Sequence, residues 1–324
     1  MRLLEAVPNL SEGRDGQRLG RILGAIVAEP GAHLLDVSVD VDHNRTVLTL
    51  VGEAGPLGRV LFTLYREALE RLDLTRHQGV HPRFGIVDVC PWVPLAGATM
   101  LDAVEAAHRL AQRVGEELAL PVYVYGAASR EASRRELPDL RRLLGAAQAA
   151  GRALPPPDSG PRERHPTGGV TVIGARPPLV AFNALLDTDD VAVARAVARR
   201  IRASSGGLPG VRALGVELAS RSAAQVTMNL IDIGTTPPAQ ALKAVREAAA
   251  GEGATVTTTE IVGLLPRSAA AGLEDPAARL EGGIESRLLE PRLIRLGLLE
   301  HGEEAMRQAV ERTGGHGEHD IAGA

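Results

Sequence analysis

Lysine, cysteine and aromatic side chains are scarce in this chain of 324 residues. It holds one cysteine, Cys90, and one lysine, Lys243, so nearly all of its positive charge is arginine. Aromatics make up 2% of it: three Phe, three Tyr and one Trp. Each scarcity excludes some chemistry. One cysteine forbids an internal disulfide framework and every multi-cysteine zinc or iron–sulfur site. Lys243 stands in Ala-Leu-Lys-Ala-Val, so no Walker A loop is present, and Schiff-base or pyridoxal chemistry is disfavoured. So few aromatics argue against single-stranded nucleic-acid binding by base stacking. A net charge of −4 argues against binding that depends on neutralising phosphates. No stretch of about 18 apolar residues suggests a membrane span. The start, Met1-Arg2-Leu3-Leu4-Glu5, lacks the apolar core and cleavage site of a signal peptide. We expect a cytoplasmic protein with neither nucleic acid nor membrane as a partner.

Periodicity gives the order of elements. In the first half we predict a strand over 3–7 and a helix over 17–28, with Leu19, Ile22, Leu23, Ile26 and Val27 on one face. Strands over 34–41 and 46–51 flank the polar turn Asp42-His43-Asn44-Arg45, which reads as a hairpin. A helix over 57–72 and a strand over 86–93, interrupted by Pro91, complete β-α-β-β-α-β. A helix over 100–118, a strand over 122–125, a helix over 134–150 and a strand over 170–173 follow, with a Pro-rich loop at 154–161. The second half repeats the order. It has strands at 179–186, 211–218, 225–231 and 254–262, and helices at 191–201 and 238–250. We therefore expect an α/β protein of the α+β type: two split βαβ subdomains with mixed or antiparallel sheets and a ligand cleft between them. The divisions are 1–177, 178–300 and a helix end with a flexible tail at 301–324.

Four histidines stand in informative contexts: His43, His77, His81 and His165. His81 lies in Thr75-Arg76-His77-Gln78-Gly79-Val80-His81-Pro82-Arg83-Phe84-Gly85, a loop in which proline holds the preceding residue extended. His77 fits a helix-capping role better. Gly79 and Pro82 argue against a helical His77–His81 metal pair, and no third ligand is local, so no metal site is expected. In Asp36-Val37-Ser38-Val39-Asp40-Val41-Asp42 the polar residues share one strand face. Two readings stay open: a solvated face, or a carboxylate that orients a neighbouring histidine and stabilises its charged form. The Gly-rich stretches at 160–169 and 206–210 lack the setting of a dinucleotide fingerprint.

Several motifs resemble the glutamate formimidoyltransferase family. They are Val7-Pro8-Asn9-Leu10-Ser11-Glu12-Gly13, Asp42-His43-Asn44-Arg45-Thr46-Val47, and, most specific, His81-Pro82-Arg83-Phe84-Gly85-Ile86-Val87-Asp88-Val89-Cys90-Pro91. Gly174-Ala175-Arg176 with Ala181-Phe182-Asn183, Gly207-Leu208-Pro209-Gly210-Val211-Arg212 and Gln225-Val226-Thr227-Met228-Asn229-Leu230 also fit. The resemblance implies transfer of a formimidoyl group between N-formimidoyl-L-glutamate and tetrahydrofolate as co-substrate, in histidine breakdown, by a homodimer that binds folate in a groove between subdomains. It implies His81 as catalytic base. It places a folate-contacting segment on Gly160, Pro161, Arg162, Glu163, Arg164, His165, Pro166, Thr167, Gly168 and Gly169. The chain departs from some members at Ser38, where they carry an acid; Asp40 shares that strand face and is our candidate for the assisting carboxylate. Arg45, Arg83 and Arg176 are candidates for gripping substrate carboxylates, or are structural ion pairs. Asn9, Asn44, Asn183 and Asn229 can read polar substrate edges or satisfy backbone. Formyl transfer from 5-formyltetrahydrofolate and a non-catalytic folate-binding relative remain alternatives. With seven aromatic side chains, a flat partner for a pterin must come from Phe84, Phe182, Tyr123 or Tyr125, or arginine planes and apolar walls must serve.

Overall fold

The computed structural model describes residues 1–80 and 83–299. Two sheets form, both packed against helices. The first takes β1 (Leu4–Ala6), β2 (Asn9–Leu10), β3 (Ala32–Asp40), β4 (Arg45–Gly52), β5 (Val87–Pro94), β6 (Val122–Gly126) and β7 (Thr171–Ala175). Its order is β3-β4-β1/β2-β5-β7-β6, antiparallel as far as β5 and parallel beyond it. The second takes β8 (Val180–Leu186), β9 (Val211–Leu218), β10 (Ala223–Leu230) and β11 (Val256–Val262), all antiparallel in the order β11-β8-β10-β9. This is the split βαβ topology expected from the element order. In the first half two further strands extend that core.

Helices α1 (Gly16–Ala28), α2 (Ala54–Arg71), α3 (Met100–Glu117) and α4 (Leu137–Ala149) belong to the first half, and α5 (Val191–Ile201) and α6 (Pro238–Gly251) to the second. The predicted face of α1 is buried at Leu19, Ile22 and Ile26. Helix α3 starts with a Thr99–Asp102 capping box, worth about 1 kcal/mol. The helix expected over 134–150 begins later. Pro138 occupies its first turn, and a 3-10 turn at Ala132–Arg134 precedes it.

One expectation is corrected, and one reading left open is closed. Pro91 does not interrupt its strand, because β5 runs through it to Pro94. The break falls on the neighbour instead. The chain kinks between β1 and β2, where Val7 N donates to Pro91 O at 3.1 Å, so the proline needs no N–H there. The acidic face of β3 is not a solvated face. Val37, Val39 and Val41 are the exposed residues, and the acids turn toward the second half. Asp36 faces Arg287 and Arg292 at 3.8 and 3.6 Å, Gly263 N donates to Ser38 Oγ at 3.1 Å, and Ser220 N donates to Asp42 at 3.1 Å. A short helix α7 (Glu290–Arg295) returns to the first half. There Leu289, Leu293 and Leu299 form one apolar cluster with Leu3, Leu35, Val51 and Leu95. Residues 300–324, including the expected tail with His301, His316 and His319, lie outside the described residues.

Candidate functional site

The face of the first sheet opposite α2 and α3, which carries α4 at its β6 end, looks toward the helix-free face of the second sheet, and a cavity of about 200 Å³ opens between them. The first sheet contributes Glu5, Val7, Asn9, Arg45, Val47, Thr49, Val89, Pro91 and Tyr125. The second contributes Ala181, Asn229 and Val262, and Arg83, Arg141 and Arg176 close the sides. Pockets that enclose a whole drug-sized ligand run to about 300–1,000 Å³, so this one suits the reacting end of a larger molecule. A bigger hollow of about 850 Å³ lies elsewhere, between the start of α1 and the end of α2, lined by Ser11, Glu12, Arg14, Arg18, Arg71 and His77 among others.

Asp88 organises one end of the cleft. It is fully buried and accepts from Phe84 N at 2.8 Å, from Arg83 Nη1 at 3.3 Å and from Arg141. Burial works to raise its pKa, but the Arg141 and Arg83 charges and these hydrogen bonds outweigh it and hold the carboxyl below its ordinary value. Arg83 is thus an ion pair, yet its Nε and one terminal nitrogen find no acceptor among the described residues. Burial draws its pKa down to about 10, so it stays charged at neutral pH. Arg45, paired in register with Asp40, has a buried Nε without a partner among the described residues. Burial lowers its pKa while Asp40 and Glu260 support the charge. Arg176 donates to Pro177 O at 2.9 Å and bonds the Tyr125 hydroxyl, whose pKa burial pushes up against that contact. Buried guanidinium donors without acceptors are costly unless an anion completes them. This end of the cleft can therefore take carboxylates.

Two acids complete the electrostatics. Asp40 accepts from His43 N at 2.8 Å and lies 3.9 Å from His43 Nε2. Glu5, in the middle of β1, is buried, and its pKa is raised to about 7 by desolvation, with Arg176 opposing.

The loop that carries His81 is fixed on both sides. Before it, Val80 N donates to Asp42 O at 3.1 Å, and Asn44 ties Gly13 N and Gln78 O. After it stand Arg83 and Phe84 on Asp88. His81 and Pro82 themselves lie outside the described residues. His77 follows a 3-10 turn at Leu74–Arg76 and sets Nδ1 3.2 Å from Ser11 O. Among the described residues no three His, Cys, Asp or Glu side chains are grouped to hold a metal.

The far side of the loop is stitched to the end of the 160–169 stretch. Val170 N donates to Phe84 O at 2.8 Å, Ile86 N to Gly168 O at 3.1 Å and Leu74 N to Thr167 O at 2.8 Å. Two glycines permit this approach. A Cβ on Gly85 would stand 1.9 Å from Val170 O, and one on Gly169, whose φ is +73°, would stand 2.2 Å from Phe84 O. His165 Nδ1 accepts from Gly168 N at 2.9 Å, closing the turn that contains Pro166 and Thr167. Arg164 reaches Gln148 and lies over the Phe84 ring. Gly160, Pro161, Arg162 and Glu163 are exposed at the start of the segment.

Other candidates are placed apart. Asn9 and Asn229 line the cleft. Asn44 lines the larger hollow. Asn183 lines neither: it is buried in β8 and donates to Glu260 at 3.1 Å. Of the aromatic candidates only Tyr125 lines the cleft; Phe182 is in the second core, and Phe84 and Tyr123 are in a cluster under α4. Sequence reasoning missed Glu5, Asp88 and Arg141. A charge inside an otherwise apolar strand is the signal for the first two; nothing local marks Arg141.

Comparison with known proteins agrees with this architecture. Residues 3–176 match the formiminotransferase domain, N-terminal subdomain, and residues 181–300 match the formiminotransferase domain. The glutamate formimidoyltransferase of Streptococcus pyogenes serotype M1 is 37% identical over 83% of this chain and 90% of its own length. That of Thermoplasma acidophilum is 36% identical over 93% of this chain and 100% of its own. The formimidoyltransferase-cyclodeaminase of Gallus gallus is 39% identical over 83% of this chain, which spans 51% of that longer protein.

Proposed function

This chain belongs to the formiminotransferase family, and from that premise we propose that it transfers a formimidoyl group between N-formimidoyl-L-glutamate and tetrahydrofolate, with His81 as general base. It is a transferase of one-carbon groups by its family. The substrates, the base and the folate segment are our reading. One observation carries it. The chain on either side of His81 is fixed to the hairpin at Asp42–Asn44, to Asp88 and to Gly168–Val170, so the flanks of the base loop adjoin the end of the glycine segment although about 80 residues separate them, and Arg83 carries the loop to the cleft.

The chemistry needs a group that can both take and give a proton near neutrality. The attacking nitrogen must lose a proton as it bonds to the formimidoyl carbon, and the departing nitrogen must gain one as its bond breaks. Histidine, with an ordinary pKa near 6.5, serves both steps. Arg45, Arg83 and Arg176 hold carboxylates of the glutamate and folate parts through charge-assisted pairs. Tyr125 offers the flat surface. Holding two substrates in one cleft supplies much of the remaining acceleration.

The test is a spectrophotometric assay with N-formimidoyl-L-glutamate and tetrahydrofolate. Wild type turns over, and His81→Ala loses at least about 100-fold. An equally active variant would remove His81 from the mechanism. A wild type that binds folate without turnover would overturn the enzymatic reading.

A further inference from the structure

Glu5 is the least explained acid of the cleft. Asp88 is saturated by two arginines and a backbone N–H. Asp40 is engaged by His43, and Glu260 by Asn183. Glu5 is 7% exposed, on the strand between β4 and β5, and lines the cavity. Burial and the charge of Arg176 account for its electrostatics, with no hydrogen bond contributing, and no described residue donates to its carboxylate. An acid left buried without donors costs free energy, and its outlet is the cavity.

We propose that Glu5 is a specificity-determining residue whose carboxylate accepts a paired N–H edge of a bound substrate. This rests on the proposed function, because that reading supplies the ligands. Both substrates carry such an edge. The formimidoyl group is an amidine, cationic at neutral pH, with two N–H-bearing nitrogens flanking one carbon. A pterin offers a ring N–H beside an exocyclic amino group. Each matches two carboxylate oxygens as a guanidinium does. A formyl group has an oxygen acceptor in place of the second nitrogen, so a carboxylate repels it where it attracts the amidine. If the amidine is the partner, Glu5 selects formimidoyl over formyl donors. If the pterin is, Glu5 fixes the orientation of the folate.

The experiment is calorimetric binding to wild type and Glu5→Gln, with three ligands titrated separately: N-formimidoyl-L-glutamate, N-formyl-L-glutamate and 5-formyltetrahydrofolate. Glutamine keeps the size and removes the charge, and an unfolding curve checks the fold. A hydrogen bond to a charged partner corresponds to about 10- to 150-fold in affinity. A loss of that order confined to N-formimidoyl-L-glutamate, with discrimination against the formyl compound collapsing, supports the amidine source. The same loss confined to the folate supports the pterin source. Unchanged affinities in a folded variant overturn the proposal, and so does an equal loss for all three ligands. Binding is read without turnover, so an inactive wild type that still shows a selective loss would defeat the proposed reaction and leave the role of Glu5 standing.

Discussion

Replacing Asp88 by asparagine should be among the most damaging isosteric changes in this protein. The side chain is wholly buried, and three donors converge on it: Phe84 N at 2.8 Å, Arg83 at 3.3 Å and Arg141. Asparagine fills the space and retains one acceptor, but it leaves two guanidinium groups without a counter-charge. Removing one partner of a buried pair costs about 3–5 kcal/mol. Arg83 is 4% exposed and must bear that cost in place, whereas Arg141 is 20% exposed and can lean toward water. We therefore expect the lower end, about 3 kcal/mol, or about 6–12 °C in melting temperature at 2–4 °C per kcal/mol.

The pH dependence gives a second, independent reading. Asp88 is held below its ordinary pKa in the folded state. Its contribution is then fully present above the unfolded value, about 3.9, and is lost as pH falls through the lower folded value. Melting curves of wild type and Asp88→Asn should stand furthest apart at pH 7 and converge in acid. Activity at pH 7 should fall more than the folded fraction does, because Asp88 sets the two residues after Pro82. A variant that melts within about 1 °C of wild type at pH 7, or whose deficit is the same at pH 3.5, would refute the assignment of Asp88 as the charged hub.

Gly169→Ala should both destabilise the protein and weaken folate binding more than Gly206→Ala, because only at Gly169 does a Cβ meet backbone; equal effects at the two positions, measured by thermal melting and calorimetry, would contradict this. Glu5→Gln should stabilise the ligand-free protein above neutrality. Burial raises its carboxyl to about 7 when folded, against an ordinary value of 4.5 in the unfolded chain. Wild type therefore loses stability as pH rises through that window, up to about 3 kcal/mol. Arg176, Tyr125, Arg45, Arg83 and Arg141 are the other charged or titratable groups around Glu5 in this cavity, among the described residues. Urea unfolding at pH 5 and pH 8 should show a gain only at the higher pH, and a gain of the same size at both would mean that Glu5 is not a buried titrating group.

Much of this fold was legible because its elements are local in cause. The alternation in β3 and the 3.6-residue spacing of α1 can be read within a dozen residues, and so can the proline at the start of α4. The side of β3 that faces the second half could not be read that way. Alternation separates valines from acids but does not say which set meets solvent, and the partners of the acids, Ser220, Gly263, Arg287 and Arg292, stand some 180 to 260 residues away. Asp88 was visible as an acid in an apolar strand. Its role depends on Arg141, 53 residues on, which stands next to a second arginine, Arg142, with nothing local to tell the two apart. Glycine was more informative. Gly85 and Gly169 sit in separate motifs, and each motif fixes one because two backbones touch.

The scarcity of lysine bears on the cleft in a way composition alone does not suggest. Burial lowers the pKa of Arg83 to about 10, which leaves it charged at pH 7. A lysine in the same place starts lower, near 10.4, and the same burial draws it toward neutrality, so its neutral fraction grows as pH rises above 7. A neutral amine beside Asp88 would leave that buried carboxylate to be protonated in turn, and the anchor of the His81 loop would loosen with pH. Arginine also brings five donors in a fixed plane, enough for Arg83 to bind Asp88 and still present free donors to a substrate carboxylate. Whatever set the arginine bias of the whole chain, this position has its own physical reason to refuse lysine. Arg83→Lys should therefore behave as a change of charge state as well as of shape, with activity falling more steeply at pH 8 than at pH 6.5 relative to wild type.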